Sequence, residues 1–166
     1  VVMRVGIIAY FSVISLLASP AAAQDDAFRQ GQVSLGLTGG GGPGGFGIGV
    51  DVGYMALESV EVSLGSAFWV LEHTKLVQIT PGARYIIKAS DSLMPYVAVF
   101  GRRWFFTDDA YRDSTSIGAR AGAYLRPDGG SILSIGAAYE QILDCPDTLE
   151  DQCSSVYPEI GLALLF

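Results

Sequence analysis

Hydrophobic residues recur at every second position over eight stretches of about ten residues, and turn-forming residues separate these stretches. In the second stretch, for example, Phe46 and Ile48 alternate with Gly47 and Gly49. A period of two places successive side chains on opposite faces of an extended strand. We therefore predict eight β-strands, in the ranges 33–38, 46–54, 60–70, 77–87, 95–106, 117–125, 133–140 and 156–166.

The two faces of these strands differ in side-chain size. One face carries large apolar residues, whereas the other combines glycine and alanine with single charges. A face of small residues suits a narrow lumen, and a bulky apolar face suits contact with lipid. Lipid cannot satisfy an open sheet edge, so the sheet must close. The fold class is therefore predicted to be all-β, a closed antiparallel eight-stranded transmembrane β-barrel. The phase of the fifth strand, 95–106, stays open because both of its faces carry aromatic residues.

Composition supports this prediction and excludes other classes. The chain is 50% hydrophobic and 16% charged, and 21 of its 166 residues are glycine. Such an apolar average is typical of helical membrane proteins, which need apolar runs of roughly 18 residues or more. No such run follows residue 23. The net charge of −7 argues against a nucleic-acid partner.

The first 23 residues have the three-part pattern of a secretory signal peptide. Arg4 precedes an apolar stretch at 5–17, and the small residues at 18–23 predict cleavage before Gln24. The alternative, an N-terminal membrane anchor, needs a longer apolar run. We therefore expect a cleaved signal peptide over 1–23, a short periplasmic segment over 24–31 and the barrel over 32–166.

The connections between strands alternate in length. Three short ones, at 56–59, 88–92 and 126–130, are predicted to be periplasmic turns. The outer connections are then 39–45, 71–75, 107–114 and 143–155, although the glycine-rich 39–45 could instead extend a strand. Pro81 and Pro158 lie inside strands that have no free edge, and we expect a bulge at Pro81.

The charges on the small-residue face are expected to point into the lumen. Isolated charges in an interior are costly, so they should pair with one another or meet water. Pairing favours a plugged lumen, and an aqueous pore is the alternative. The predicted lumen charges are Asp51, Glu61, Arg84, Arg102 (or Arg103), Arg120, Glu140 and Glu159.

Other candidate chemistry is sparse. Cys145 and Cys153 form an even pair in a chain with an export signal, which predicts a disulfide in the longest outer connection. His73 is the only histidine, and no metal-ligand spacing surrounds it. The acidic residues of the outer connections are interpreted as a solvated surface, with calcium binding as the alternative. No cofactor and no metal are expected.

Several segments resemble one family of membrane proteins. Residues 49–54 and 60–65 form a hairpin pattern, 80–85 reads Thr-Pro-Gly-Ala-Arg-Tyr, and 95–97 opens the next strand. The chain ends on an aromatic residue with apolar residues at alternate positions behind it: Ile160, Leu162, Leu164 and Phe166. Together these features resemble the small outer-membrane β-barrel proteins of Gram-negative bacteria, of the outer-membrane protein A, X and W type, over roughly 32–166.

The resemblance implies a location in the cell envelope and a set of partners. It implies the bacterial outer membrane, its lipid and lipopolysaccharide, and a monomeric state. The terminal residues would be read by the barrel assembly machinery and by periplasmic chaperones. Some barrels of this size are lipid A deacylases with a serine close to the catalytic histidine, but here Thr74 and Lys75 follow His73. We therefore expect no enzymatic activity.

A fold does not fix an activity, so several functions stay open. The main hypothesis is a barrel with a structural or surface-interacting role and a lumen plugged by paired charges. The alternatives are a small porin-like channel for small solutes, a lipid-modifying enzyme and a soluble lipocalin-like carrier in the periplasm.

Overall fold

The protein is an all-β chain of eight strands. The structure, a computed structural model, describes residues 27–42, 45–71, 74–108, 112–126, 132–144 and 153–166. No helix in these ranges is long and apolar enough to cross a membrane. The strands are β1 (Val33–Gly42), β2 (Gly45–Leu57), β3 (Val60–Leu71), β4 (Lys75–Ile86), β5 (Leu93–Phe106), β6 (Ser114–Leu125), β7 (Ile132–Ile142) and β8 (Ser154–Leu165).

The strands form a closed antiparallel barrel in sequence order. Each strand pairs with its neighbours along the chain, and β1 pairs with β8 to complete the cylinder. The predicted number of strands, their antiparallel order and the closure are confirmed. The β2–β3, β4–β5 and β6–β7 connections lie at one end of the barrel, together with the start of β1 and the end of β8. We call this end the short-turn end, and we call the opposite end the loop end.

The structure resolves the phase of β5. Tyr96, Ala98 and Phe100 are buried inside the barrel, whereas Val97 and Val99 are exposed on its outer face. The ambiguity arose because a lumen of this width holds aromatic rings as well as small residues. Rings therefore occur on both faces of this strand.

Two expectations about local structure were wrong. The segment 39–45 is not a long outer connection, because Gly42 pairs with Gly45 and both strands run up to this pair. It is the glycine-rich strand extension that the sequence left as an alternative. Pro81 causes no bulge, since it pairs with Leu64 in an unbroken register. The ladder from β4 to β5 instead skips Thr80 and Pro81 and resumes in the same register, as expected where an N–H donor is missing.

The ladder that closes the barrel is shorter than the others. Only four residue pairs join β1 to β8, from Ser34 opposite Leu165 to Leu37 opposite Leu162. By contrast, ten pairs join β1 to β2. Towards the loop end, residues 38–42 of β1 and 154–161 of β8 therefore pair only with their other neighbours. We call this unpaired stretch the seam.

The apolar core lies at the short-turn end. Phe28 comes from the segment before β1, and its side chain is fully buried there. A hydrogen bond from the Gly31 amide to the Met55 carbonyl, 2.9 Å long, ties this segment to β2. The cluster comprises Phe28, Met55, Ile86, Met94, Tyr96, Tyr124 and Ile132.

Candidate functional site

The lumen is the one region where the described polar side chains converge, and at the short-turn end it is closed by aromatic rings. The ring of Phe28 lies 4.7 Å from that of Tyr124, centroid to centroid, and Tyr124 lies 5.0 Å from Tyr96. All three rings are buried, so this end of the lumen is filled by packed side chains. Sequence reasoning assigned residues 24–31 to a periplasmic segment and missed Phe28, because a single aromatic residue outside the alternating strands carries no periodic signal.

The first polar layer above these rings is built around Arg84. Its Nη1 lies 2.7 Å from Glu61 Oε2 and also donates a hydrogen bond to the Tyr124 hydroxyl. Ser34 donates a hydrogen bond to the other carboxylate oxygen of Glu61. Glu61 is only 1% exposed. The guanidinium carbon stacks 4.9 Å from the Tyr96 ring centroid. This layer is thus a buried ion pair whose carboxylate is satisfied on both oxygens.

A second network lies nearer the loop end. Arg102 Nη1 is 2.6 Å from Glu140 Oε2 and 3.1 Å from the Tyr157 hydroxyl, which itself donates to Glu140 over 2.8 Å. Ser116 donates to the remaining Glu140 oxygen and accepts a 3.2 Å hydrogen bond from Trp104 Nε1. Strands β5, β6, β7 and β8 each contribute to this network, so it bridges the lumen across half of the barrel wall.

The third ion pair joins Arg120 to Glu159. The Arg120 Nε lies 2.9 Å from Glu159 Oε2, and the guanidinium stacks 4.2 Å above the Phe100 ring. Asp51 also faces the lumen, where its carboxylate lies against Gly36 and no side chain intervenes. Six of the seven predicted lumen charges are therefore brought together in three ion pairs. The seven residues are three arginines and four carboxyl groups, and Asp51 is the one outside the three ion pairs.

The sequence-predicted alternative to Arg102 points the other way. Arg103 lies on the outer face with a 45% exposed side chain, where it hydrogen-bonds Thr115 Oγ1 over 2.6 Å. Its guanidinium is 3.9 Å from the carboxylate of Asp113, the residue immediately before β6. The structure thus places Arg102 in the lumen and Arg103 at the loop-end rim.

The predicted C-terminal residues lie on the outer face of β8. Ile160 and Phe166 are exposed, and Leu162 and Leu164 are partly buried between neighbouring side chains. Phe166 exchanges two backbone hydrogen bonds with Val33, of 2.9 and 3.2 Å. Cys153 is buried, while Cys145 and His73 lie outside the described residues, as does the signal segment 1–23. The disulfide stays a prediction.

Glycines of the inner face make room for the large lumen side chains. A Cβ atom at Gly47 would overlap the indole of Trp69, and one at Gly118 would overlap the ring of Phe100. The small residues that the sequence shows on this face are therefore matched to particular rings. Because the rings come from neighbouring strands, the strand register determines which glycine lies against which ring.

The lumen contains a cavity of about 630 Å³, whose lining includes Arg84, Tyr96 and Tyr124. Trp69, Gln78, Arg102, Trp104 and Tyr157 also line it. Among the described residues, no three His, Cys, Asp or Glu side chains converge as metal ligands would. The cavity has the size of a small-molecule pocket, and its lining combines aromatic rings with many charged and hydroxyl side chains.

Comparison with known proteins adds no relative. No protein-family model matches the chain, and no curated protein matches it.

Proposed function

We propose that the protein is a non-enzymatic integral barrel of the bacterial outer membrane, with a structural or surface-interacting role and a plugged lumen. The observation that carries this proposal is the apolar outer face of a closed barrel. A soluble protein rarely exposes a contiguous apolar patch larger than a few hundred Å², whereas here exposed apolar side chains surround the cylinder. They include Phe46, Ile48, Val50, Val52, Val62, Leu64, Ile79, Val97, Val99, Ile117, Ile135 and Ile160.

The dimensions and the edges of this belt also fit a bilayer. The strands contain 10 to 14 residues, and a tilted strand needs roughly 9–11 to cross the hydrocarbon region. Tyr54 and Tyr85 lie on the outer face near the short-turn end, and Phe68 and Phe105 lie near the loop end. Aromatic residues in two girdles are typical of transmembrane barrels.

The lumen supports a plugged barrel over a channel. The aromatic cluster around Phe28 closes the short-turn end, and three ion pairs cross the space above it. A water-filled channel remains the second candidate because the cavity of about 630 Å³ is lined by polar groups. Conduction would require the aromatic cluster to open.

Heat-dependent gel mobility and vesicle flotation test the insertion. The chain after residue 23 should refold into phospholipid vesicles, float with them in a density gradient, and migrate differently with and without boiling. Recovery of a folded protein that stays soluble and does not float would overturn the proposal in favour of a periplasmic carrier. Planar-bilayer recording then separates the two membrane functions, because the plugged barrel should be silent and a channel should show discrete conductance steps.

The assembly route of the proposal rests on the C-terminal strand. Barrel assembly machinery and periplasmic chaperones would read the outward residues Ile160, Leu162, Leu164 and Phe166. Deletion of Phe166 should lower the amount of heat-modifiable protein in the outer membrane, because the signal and two hydrogen bonds to Val33 are lost together. Phe166→Ala, which keeps the backbone, separates the two effects. Normal assembly of both variants would contradict this route.

A further inference from the structure

The outer face of the eight strands carries two charged residues, and both are cations. Nine strand residues are charged, and seven of them are the lumen charges described above; the other two are Lys75 and Arg103. Lys75 is exposed next to the buried Leu76, and Arg103 is 45% exposed. Because the whole chain has 17 acidic residues against 10 lysines and arginines, composition alone does not favour a purely cationic outer face.

The two cations lie on neighbouring strands at the loop end. Lys75 is the first residue of β4, and its carbonyl accepts a 3.0 Å hydrogen bond from the amide of Thr107, just past β5. Arg103 pairs with Ile79, four positions further along β4. At about 3.3 Å per residue, the Cα atoms of the two cations are roughly 13 Å apart along the strands. Phe105 lies between them, and its ring centroid is 5.9 Å from the Arg103 guanidinium.

The protein itself uses few of the hydrogen-bond donors of these cations. Arg103 makes one side-chain hydrogen bond, from Nη1 to Thr115 Oγ1 over 2.6 Å, which leaves most of its N–H donors unused. The Asp113 carboxylate is 3.9 Å from Arg103 Nη2 and 40% exposed, and exposed ion pairs contribute little. Lys75 forms no ion pair with a described residue. Two neighbouring cations with unused donors suit an oxygen-rich anion such as phosphate.

Next to Arg103, towards the short-turn end, the outer face has a shallow apolar groove. Gly101 is the next outward-facing residue of β5, and no atom lies within 4 Å of the position that a Cβ atom would take there. It pairs with Ile117 of β6, which is 51% exposed. On the other side the register places Pro81 of β4 opposite Gly101. Gly101 is therefore the floor of a groove between two apolar side chains, and an acyl chain in this groove would have its head group at Arg103.

We infer that this edge of the barrel binds one anionic lipid, with Lys75 and Arg103 on the oxygens of its phosphate head group and an acyl chain along Gly101. The inference rests on the proposed membrane location. The groove favours a lipid over a free anion, because inorganic phosphate has no apolar part to bury there. Each cation close to an anionic lipid surface favours binding by roughly fivefold.

Quenching of an outer-face tryptophan by brominated lipids tests the inference. The two native tryptophans line the lumen, and Trp69→Phe with Trp104→Phe removes their signal. In this background Ile117→Trp reports the groove. Ile48→Trp is the matched control, because Ile48 lies three residues from the loop-end limit of β2, as Ile117 does in β6, on the opposite wall of the barrel.

Each reporter is refolded into phosphatidylcholine vesicles that contain a minor fraction of brominated lipid, either anionic phosphatidylglycerol or zwitterionic phosphatidylcholine. At Ile117→Trp, brominated phosphatidylglycerol should quench more strongly, as a severalfold local enrichment would. At Ile48→Trp the two brominated lipids should quench equally. Equal quenching by both lipids at Ile117→Trp, or the same excess at both reporters, would overturn the inference.

Charge substitutions in the Ile117→Trp reporter assign the preference to particular residues. Lys75→Gln and Arg103→Gln should each lower the preference for phosphatidylglycerol by roughly fivefold. Asp113→Asn should raise it, because Arg103 loses the competing carboxylate. Lys88→Gln, which removes one positive charge at the short-turn end, should leave it unchanged. A preference that survives the loss of both outer-face cations, or that falls as much with Lys88→Gln, would overturn the assignment.

Two further measurements complete the test. Native mass spectrometry of the unsubstituted barrel, released from detergent containing phosphatidylglycerol, should show one retained lipid, and no retained lipid would contradict the site. Inorganic phosphate should not abolish the preference beyond the effect of chloride at equal ionic strength, and if it does, the site binds a free anion. A barrel that floats with vesicles but shows no lipid preference refutes this inference alone, whereas one that does not float refutes the membrane location as well.

Discussion

An arginine placed on the outer face should destabilise the barrel according to its depth in the membrane. Val99 lies in the middle of β5, where it pairs with Ala83 and Ala119, and it is 62% exposed. Gln141 is exposed on the outer face of β7, one residue from the loop-end limit of its strand. Both sites are open, so Val99→Arg and Gln141→Arg introduce the same charge without an internal clash.

The proposed membrane location predicts different magnitudes at the two sites, because lipid would surround Val99 and not Gln141. A charged side chain on the lipid face costs about 2–4 kcal/mol near the midplane and about 0–1 kcal/mol near the interface. We therefore expect Val99→Arg to lower the folding equilibrium constant in vesicles by roughly 30- to 1000-fold, at about 1.4 kcal/mol per tenfold. Gln141→Arg should change it by less than roughly tenfold.

Equilibrium urea unfolding in vesicles, followed by tryptophan fluorescence, measures both values. A water-soluble barrel gives a different result, because surface substitutions in water usually change stability by no more than about 0.5 kcal/mol. Small, equal effects of the two variants would therefore refute the membrane orientation of the outer face. A large effect at Gln141 alone would show that the middle of the bilayer lies near the loop end and not at the level of Val99.

Three further predictions concern the inside of the barrel, and the same unfolding assay measures them. Replacing Arg84 by Met should cost about 3–5 kcal/mol, because the buried Glu61 loses its cation; a cost below about 1 kcal/mol would argue that water already screens this pair. Gly118→Ala should destabilise the barrel, because the new Cβ would overlap the Phe100 ring and the Tyr139 carbonyl oxygen. The control Gly101→Ala should be nearly neutral, because no atom lies within 4 Å of its Cβ position. Equal effects of the two substitutions would contradict the packing described. Phe28→Ala should cost about 3–5 kcal/mol, and no change would show that the N-terminal segment does not contribute to the core.

The alternation of residue types was sufficient to predict the architecture. A period of two in eight stretches determined the number of strands and the face that each residue joins, and the charges on the small-residue face were found in the lumen. The same rule failed for β5, where Tyr96 and Phe105 give both faces aromatic character. It also missed Phe28, which belongs to no strand.

Two of the three ion pairs within the lumen could not be predicted from sequence, whereas Glu61 and Arg84 lie directly opposite each other in the β3–β4 hairpin. Arg102 on β5 pairs with Glu140 on β7, and Arg120 on β6 pairs with Glu159 on β8. In both cases one strand lies between the partners, so the contact depends on barrel curvature and stagger, which a linear pattern does not contain. The seam was missed for a related reason. The alternation of residue types predicts the face on which a side chain lies, but it does not predict whether the neighbouring strand is close enough to pair.

The short ladder between β1 and β8 also has a consequence for the order of folding. Seven of the eight ladders join strands that are adjacent in the chain, so each can grow outwards from its own connection. The eighth joins Leu37 to Leu162, about 125 residues apart, and gains only four ladder pairs and the two hydrogen bonds between Val33 and Phe166 in return. Because loop-closure entropy is lost before distant contacts form, this ladder is the last to become favourable. We expect closure to limit the folding rate, so substitutions at 34–37 and 162–165 should slow folding more than equally destabilising substitutions within the hairpins.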